Sequence, residues 1–116
     1  MDNIILNKSK GFAIRCINLY RYLCKDKREF IISKQMLRSA TSIGANCREA
    51  SRAQSTADFI SKLNIALKEA EETAYWLELL HETDYLEDKQ FHSLYGDIEE
   101  IIKILVSIIK TTKTTD

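Results

Sequence analysis

The sequence predicts an all-α protein, a single domain over residues 1–116 built as an antiparallel up-down four-helix bundle. Apolar side chains recur at helical spacing in four successive segments. The chain has no Pro and only three Gly, so few positions interrupt a helix. The stretches between the segments are short and polar, and short connections place successive helices side by side in opposite directions.

The first two helices are predicted over about residues 9–26 and 34–53. The segment DKRE breaks the apolar pattern between them, and Ser33 is positioned to cap the second helix. The inward side chains of the two helices are Phe12, Cys16, Leu19, Tyr20, Leu23, Met36, Leu37, Ala40, Ile43, Gly44 and Cys47.

The last two helices are predicted over about residues 56–82 and 88–110. Ser55 with Asp58 fits a capping box at the start of the third helix, and TDYLED forms the next turn. The tail of residues 111–116 is polar and is expected to fray. The inward side chains are Phe59, Ile60, Leu63, Ala66, Leu67, Ala70, Ala74, Leu77, Phe91, Leu94, Tyr95, Ile98, Ile101, Ile102, Leu105, Ile108 and Ile109.

Composition indicates a cytoplasmic protein. The three Cys residues are widely spaced among apolar neighbours, which is typical of reduced, packed thiols. No apolar run approaches the length that crosses a bilayer, and the apolar stretch near the N-terminus is too short for a signal peptide. We therefore expect no membrane partner.

The zero net charge conceals an asymmetry between the two halves of the chain. Residues 1–54 carry eleven Lys and Arg against four Asp and Glu, whereas residues 55–116 carry six against thirteen. The halves therefore have net charges of +7 and −7. They can compensate each other within one domain, or they can meet head to tail between subunits.

Basic residues form a stripe on each of the first two helices, away from the apolar side. Three interpretations are open: a solvated face, a salt-bridge surface between subunits, or a surface that contacts nucleic acid. The residues are Arg21, Lys25 and Arg28 near the end of the first helix, and Lys34, Arg38, Arg48 and Arg52 on the second.

The third helix carries a second stripe opposite its apolar side. An aromatic anchor with charged neighbours is typical of subunit interfaces, so we expect a homo-oligomer. The alternative is that the segment Ile4–Leu6 covers this stripe. The two carboxylates of the stripe, Glu69 and Glu72, can pair with the arginines of the second helix, within or between subunits. The stripe consists of Ile65, Glu69, Glu72, Trp76 and Leu79.

Ala40 and Gly44 lie one turn apart on the inward side of the second helix. Small side chains there let a neighbouring backbone approach closely. The sequence contains no GxxxxGK[ST] motif and no preceding strand, so a phosphate loop is excluded.

No constellation of residues predicts an enzyme. Glu78 and His81 have the Glu-x-x-His spacing of di-iron bundles. His92 has Lys89 rather than Glu three residues before it, so the second half of that motif is missing. We predict no catalytic, cofactor-binding or metal-binding residue.

The run SIGANCREASRAQSTADFISKLNIALKEAEETAYWLELL resembles the bacterial four helix bundle protein family. The first members of this family were found encoded by intervening sequences inside 23S ribosomal RNA genes. The positions that match its motifs are Ser42, Ile43, Gly44, Ala45, Asn46, Glu49, Phe59, Ile65, Ala66, Glu69 and Leu77.

The resemblance implies a four-helix bundle that assembles into a homopentamer with a central channel. A related branch, the accessory protein of diversity-generating retroelements, is strongly basic and binds nucleic acid. This chain departs from that branch because its net charge is zero. Two hypotheses follow: an oligomer associated with RNA or DNA through its basic helices, or a scaffolding oligomer that binds another protein.

Overall fold

A computed structural model of the chain describes residues 3–115. It contains four α-helices in the order α1 (Asn3–Lys25), α2 (Ile32–Ala50), α3 (Thr56–Glu82) and α4 (Asp88–Thr115). Within this described part there is no strand, and the domain measures 48 × 21 × 19 Å. The predicted all-α fold class is confirmed.

The four helices occupy the corners of a square. Both α1 and α3 pack against α2 and against α4, so α1 lies diagonally opposite α3. One end of the bundle, called here the head end, carries the α1–α2 connection (residues 26–31) and the α3–α4 connection (residues 83–87). The opposite end carries the connection of residues 51–55, together with the start of α1 and the end of α4.

The first helix begins at Asn3, six residues earlier than predicted. Ile5 continues the apolar spacing of α1 toward the N-terminus and is fully buried, which explains the longer helix. Ser9 therefore lies inside the helix rather than at its start. It is buried, and its hydroxyl donates to the carbonyl of Leu6 at 3.2 Å.

The predicted cap of α2 is wrong, because Glu29 takes the place that the sequence assigned to Ser33. The Glu29 carboxylate accepts hydrogen bonds from the backbone N–H groups of Ile31, Ile32 and Ser33 at 3.1, 2.9 and 2.6 Å. Ser33 is buried in the first turn, where its hydroxyl donates to the carbonyl of Glu29 at 2.7 Å. One carboxylate thus satisfies three of the N–H groups that a helix start leaves free.

The start and end of α3 are both fixed by hydrogen bonds. Ser55 caps the helix as predicted, since its hydroxyl accepts from the N–H of Asp58 at 3.1 Å. The helix ends through Asp84, whose φ of 68° lies in the left-handed region. There the N–H of Asp84 donates to the carbonyl of His81, and the N–H of Tyr85 to that of Leu80.

The ends of α2 and α4 differ from the prediction in opposite directions. Helix α2 stops at Ala50, three residues early, so Arg52 lies in the following turn. Helix α4 continues to Thr115, although residues 111–116 were expected to fray. The hydroxyls of Thr112 and Thr115 donate to carbonyls of the preceding turn, and Asp116 lies outside the described residues.

The core runs along the centre of the square and contains most of the predicted inward side chains. It also contains a polar contact that the apolar pattern did not reveal. The hydroxyls of Ser39 and Thr73 lie 2.8 Å apart, and both residues are fully buried. This contact joins α2 to α3 in the centre of the bundle.

Candidate nucleic-acid interface

Three of the eleven basic residues in the first half of the chain form salt bridges with the second half. Lys8 pairs with Glu100 at 2.8 Å, and Arg15 pairs with Asp97. These contacts join α1 to α4. The two halves of opposite charge therefore compensate each other in part within one chain.

Arg38 forms the third of these contacts, between α2 and α3. Its guanidinium lies 3.2 Å from Glu69 and 2.6 Å from Glu72. Burial by itself raises the pKa of Glu72, but the hydrogen bonds from Arg38 and Trp76, the contact with Glu69 and the positive charge of Arg38 together outweigh it and hold that pKa below its ordinary value. Arg38 is thus neutralised, although it was predicted as a nucleic-acid contact.

The other eight basic residues of this half are exposed and form no salt bridge within residues 3–115. We call them the basic face. Two nearby carboxylates have other partners, because Glu29 is bonded to the backbone and Glu49 pairs with Lys62 at 3.3 Å. A third, the exposed Asp26, forms no salt bridge among the described residues and offsets one charge of the set. The basic face comprises Lys10, Arg21, Lys25, Lys27, Arg28, Lys34, Arg48 and Arg52.

A groove of about 260 Å³ lies between α1 and α2 on this side of the bundle. The groove is lined by Lys10 of α1 and by Gly44, Ala45 and Arg48 of α2. The two helices approach closely here, since a Cβ atom on Gly44 would lie only 3.3 Å from the hydroxyl oxygen of Ser9. The close packing predicted for Gly44 therefore involves α1.

The rest of the motif around Gly44 has local structural roles. Ile43 is fully buried in the core. The hydroxyl of Ser42 donates to the carbonyl of Arg38 at 2.8 Å. The Asn46 amide donates to the Ser42 carbonyl of its own helix at 2.9 Å. Such bonds satisfy polar side chains within the helix.

The predicted interface stripe of α3 is only partly exposed. Trp76 and Leu79 are half-buried, and the indole N–H of Trp76 donates to Glu72 at 3.2 Å. Ile65 remains 41% exposed. The segment Ile4–Leu6 does not cover the stripe, because α1 lies diagonally across the bundle from α3.

Glu78 and His81 are held by separate partners. Glu78 accepts from the hydroxyl of Tyr95 at 2.6 Å, a bond that raises the pKa of Tyr95 to about 12. His81 lies 2.6 Å from Asp88 and stacks on the ring of Phe91 at 4.1 Å. No group of three His, Cys, Asp or Glu side chains placed to hold a metal ion occurs in the described part of the chain.

The sequence prediction missed an exposed apolar pair in the α1–α2 connection. Phe30 is 51% and Ile31 is 77% exposed, on the basic α1–α2 side of the head end. The available signal was the segment KDKREFIISK, in which apolar residues follow a run of charges between two helices. No helix among residues 3–115 is both long and apolar enough to cross a membrane.

Comparisons with known proteins agree with the resemblance seen in the sequence. The family model described as 23S rRNA-intervening sequence protein matches residues 1–107. A crystal structure of a protein of unknown function from the S23 ribosomal protein family of Bacteroides thetaiotaomicron VPI-5482 is 60% identical, with a TM-score of 0.93. The match covers 94% of this chain and 97% of that one. Neither description names an enzymatic activity, and a search of curated proteins finds no match.

Proposed function

Since this chain belongs to the 23S rRNA-intervening sequence protein family, we propose that it is a non-enzymatic protein that binds RNA through its basic face. The observation that carries the proposal is the eight exposed cations of α1, α2 and the connections that follow these two helices, which lack salt bridges within the described residues. Nucleic-acid backbones are bound chiefly by Lys and Arg that neutralise phosphates. A neutral protein can bind in this way when its cations are gathered on one side.

The geometry supports a contact with an extended polymer. Lys34 at the head end and Arg48 near the opposite end are about 21 Å apart along α2, at 1.5 Å per residue. The groove between Lys10 and Arg48 continues this surface onto α1. A polyanion lying along α1 and α2 would meet cations over nearly half of the 48 Å length of the bundle.

The test is the binding of a labelled structured RNA over a series of salt concentrations. If all eight cations contact phosphate, the slope of log K against log salt reaches about −7, at about −0.9 per contact. The double variant Arg48→Ala/Arg52→Ala should make the slope shallower by about 2. The matched control is Lys8→Ala/Arg38→Ala, which removes two charges already paired with carboxylates and should change the slope by less than 1.

Absence of RNA binding at low salt would refute the proposal. An equal effect of the two double variants would refute the assignment to the basic face. Failure of RNA binding would favour the alternative, a scaffolding protein that binds another protein. In either case we place the protein in the cytoplasm, where the free thiols of Cys16, Cys24 and Cys47 stay reduced.

A homo-oligomer is a second candidate, favoured by a shallow apolar groove on the outer side of α3. The groove has a volume of about 520 Å³ and includes Ala57, Ile60 and Ile65. A second copy of the chain is its proposed occupant, because the basic α1–α2 side and the acidic α3–α4 side offer unlike surfaces to successive subunits. The number of five subunits comes from the family resemblance alone.

Sedimentation of the unmodified protein at micromolar concentration tests this assembly. Ile65→Glu should dissociate it, since the change puts a charge into the groove while leaving the buried core of α3 unchanged. Val106→Glu is the matched control, an equally exposed apolar position on α4. A monomer in the unmodified protein would contradict the proposal, and an equal effect of both variants would exclude the α3 groove as the interface.

A further inference from the structure

The α1–α2 connection presents two large apolar side chains to solvent at the head end. Phe30 and Ile31 are 51% and 77% exposed, and the value for Ile31 is the highest among the exposed large apolar side chains of residues 3–115. Isolated exposed apolar residues need no explanation. Adjacent ones, held at a tip and surrounded by charge, suggest a contact surface.

The tip is held in place by its neighbours in the chain. The buried carboxylate of Glu29 accepts hydrogen bonds from three successive backbone N–H groups, those of residues 31–33. The N–H of Glu29 itself donates to the carbonyl of Leu23 at 3.0 Å. Arg28 adopts a left-handed φ of 56°, which turns the chain before the tip. Because the backbone beneath Phe30 and Ile31 is anchored, a partner that binds these side chains does not have to order the backbone as well.

Cations surround the tip. Lys27 and Arg28 precede it, Lys34 follows it, and all three are exposed. The guanidinium of Arg28 lies 5.3 Å from the centre of the Phe30 ring, within the range of a cation–π contact. The last turns of α1 add Arg21 and Lys25 on the same side.

We infer that Phe30 stacks against an unpaired base of a single-stranded RNA segment, while Arg28 and Lys34 hold the adjacent phosphates. The inference rests on the proposed function and specifies the form of nucleic acid that the head end takes. Proteins that bind single strands combine a positively charged track with aromatic side chains on which bases stack. An aromatic ring beside a planar guanidinium offers such a platform.

The observations favour a single strand over a duplex and over a lipid bilayer. A base can stack on Phe30 only if it is unpaired, since the faces of paired bases are covered by their neighbours in the helical stack. A flat bilayer would press on the whole head end, including the acidic end of α3 and the α3–α4 connection, where Glu82, Asp84 and Glu87 are exposed. A strand can pass over the basic half alone and continue toward the groove at Lys10.

The experiment measures the affinity of a labelled 12-nucleotide single-stranded RNA and of a duplex of the same length. Phe30→Ala should weaken single-strand binding by about 5- to 150-fold, the range for one stacked base, and should change duplex binding by less than about 2-fold. Ile31→Ala is the matched control, because it truncates the neighbouring exposed side chain without removing a ring. Phe30→Trp should retain single-strand affinity, and its added fluorescence should be quenched on binding.

The outcomes separate this inference from the proposed function. If neither RNA binds the unmodified protein, the proposed function fails and the inference fails with it. If both RNAs bind and Phe30→Ala binds the single strand normally, the basic face stands and the role of Phe30 is overturned. Loss of binding to vesicles of phosphatidylserine and phosphatidylcholine in Phe30→Ala, with RNA binding unchanged, would assign the tip to a membrane surface instead.

Discussion

Replacement of Glu29 by Gln is expected to destabilise the protein far more than a change at a connecting loop usually does. The side chain keeps its size but loses its charge and one of its two acceptor oxygens. In the structure, one oxygen serves the N–H of Ser33 and the other serves the N–H groups of Ile31 and Ile32. The single oxygen of Gln cannot serve both places, so at least one of the three N–H groups loses its acceptor.

The magnitude follows from these contacts. A hydrogen bond to a charged group contributes about 1.5–3 kcal/mol, and a negative charge at a helix start contributes about 0.3–1 kcal/mol more. Because Gln retains part of the bonding, we expect a loss of about 2–3 kcal/mol in the free energy of unfolding. At about 2.1 cal/mol/K of unfolding entropy per residue, this loss lowers Tm by about 8–12 °C.

The pH dependence gives an independent check. Burial by itself raises the pKa of Glu29, but the three backbone donors outweigh it and hold the pKa below the ordinary value of 4.5. The folded state therefore binds fewer protons than the unfolded state, so this contribution is complete above about pH 4.5 and is lost as the pH falls through the lower, folded pKa. The stability difference between Glu29→Gln and the unmodified protein should shrink in that range.

Chemical and thermal unfolding followed by circular dichroism at pH 7 and at low pH measures both effects. Glu71→Gln is the control, since this exposed residue of α3 makes the same chemical change without a salt bridge among the described residues and should alter stability by no more than about 0.5 kcal/mol. A loss at Glu29 as small as that of the control, or a difference that persists unchanged at low pH, would refute the reasoning.

Three further predictions concern packing and backbone conformation. Gly96→Ala should stabilise the protein by about 1 kcal/mol, the difference in helix propensity, because nothing lies within 4 Å of the added Cβ atom. Gly44→Ala should stabilise it less or destabilise it, because the added Cβ atom would lie 3.3 Å from the Ser9 hydroxyl of α1. An equal gain at both positions in denaturant unfolding would contradict this. Asp84→Gly should raise the stability by about 0.5–1 kcal/mol, since it relieves a left-handed φ; an unchanged or lower Tm would argue against it. Burial raises the pKa of Cys16 to about 12 and that of Cys47 to about 11, so iodoacetamide at pH 8 should label both far more slowly in the folded protein than in urea.

Sequence periodicity was sufficient to predict the four helices, because each helix buries one continuous side. The α3 start is the best example, where Ser55 and Asp58 form the predicted cap from residues adjacent in the chain. The α2 start shows the limit of such reasoning. Ser is a preferred capping residue and Glu is not, yet Ser33 lies inside the first turn and the buried Glu29 carboxylate accepts from three N–H groups at the helix start.

The candidate site was less predictable, because basic residues of the same helix face different neighbouring helices. Arg38 and Arg48 lie on one polar stripe of α2, but ten residues at 100° each separate their directions by about 80°. Arg38 consequently meets the carboxylates of α3, while Arg48 lines the groove beside α1. The sequence alone identifies the basic residues of the stripe. It does not show which of them form salt bridges and which remain unpaired.

The sequence by itself determined the all-α fold, the family, and the opposite charges of the two halves, since these depend on residue type and on spacing within single helices. Tertiary structure alone decided that α1 faces α2 and α4 and that Arg38 is neutralised by α3. It also decided that Phe30 and Ile31 stand exposed over a buried carboxylate. The physical reason is the same in each case: burial, salt bridges and capping depend on which surfaces meet, and residues far apart in the chain supply those surfaces.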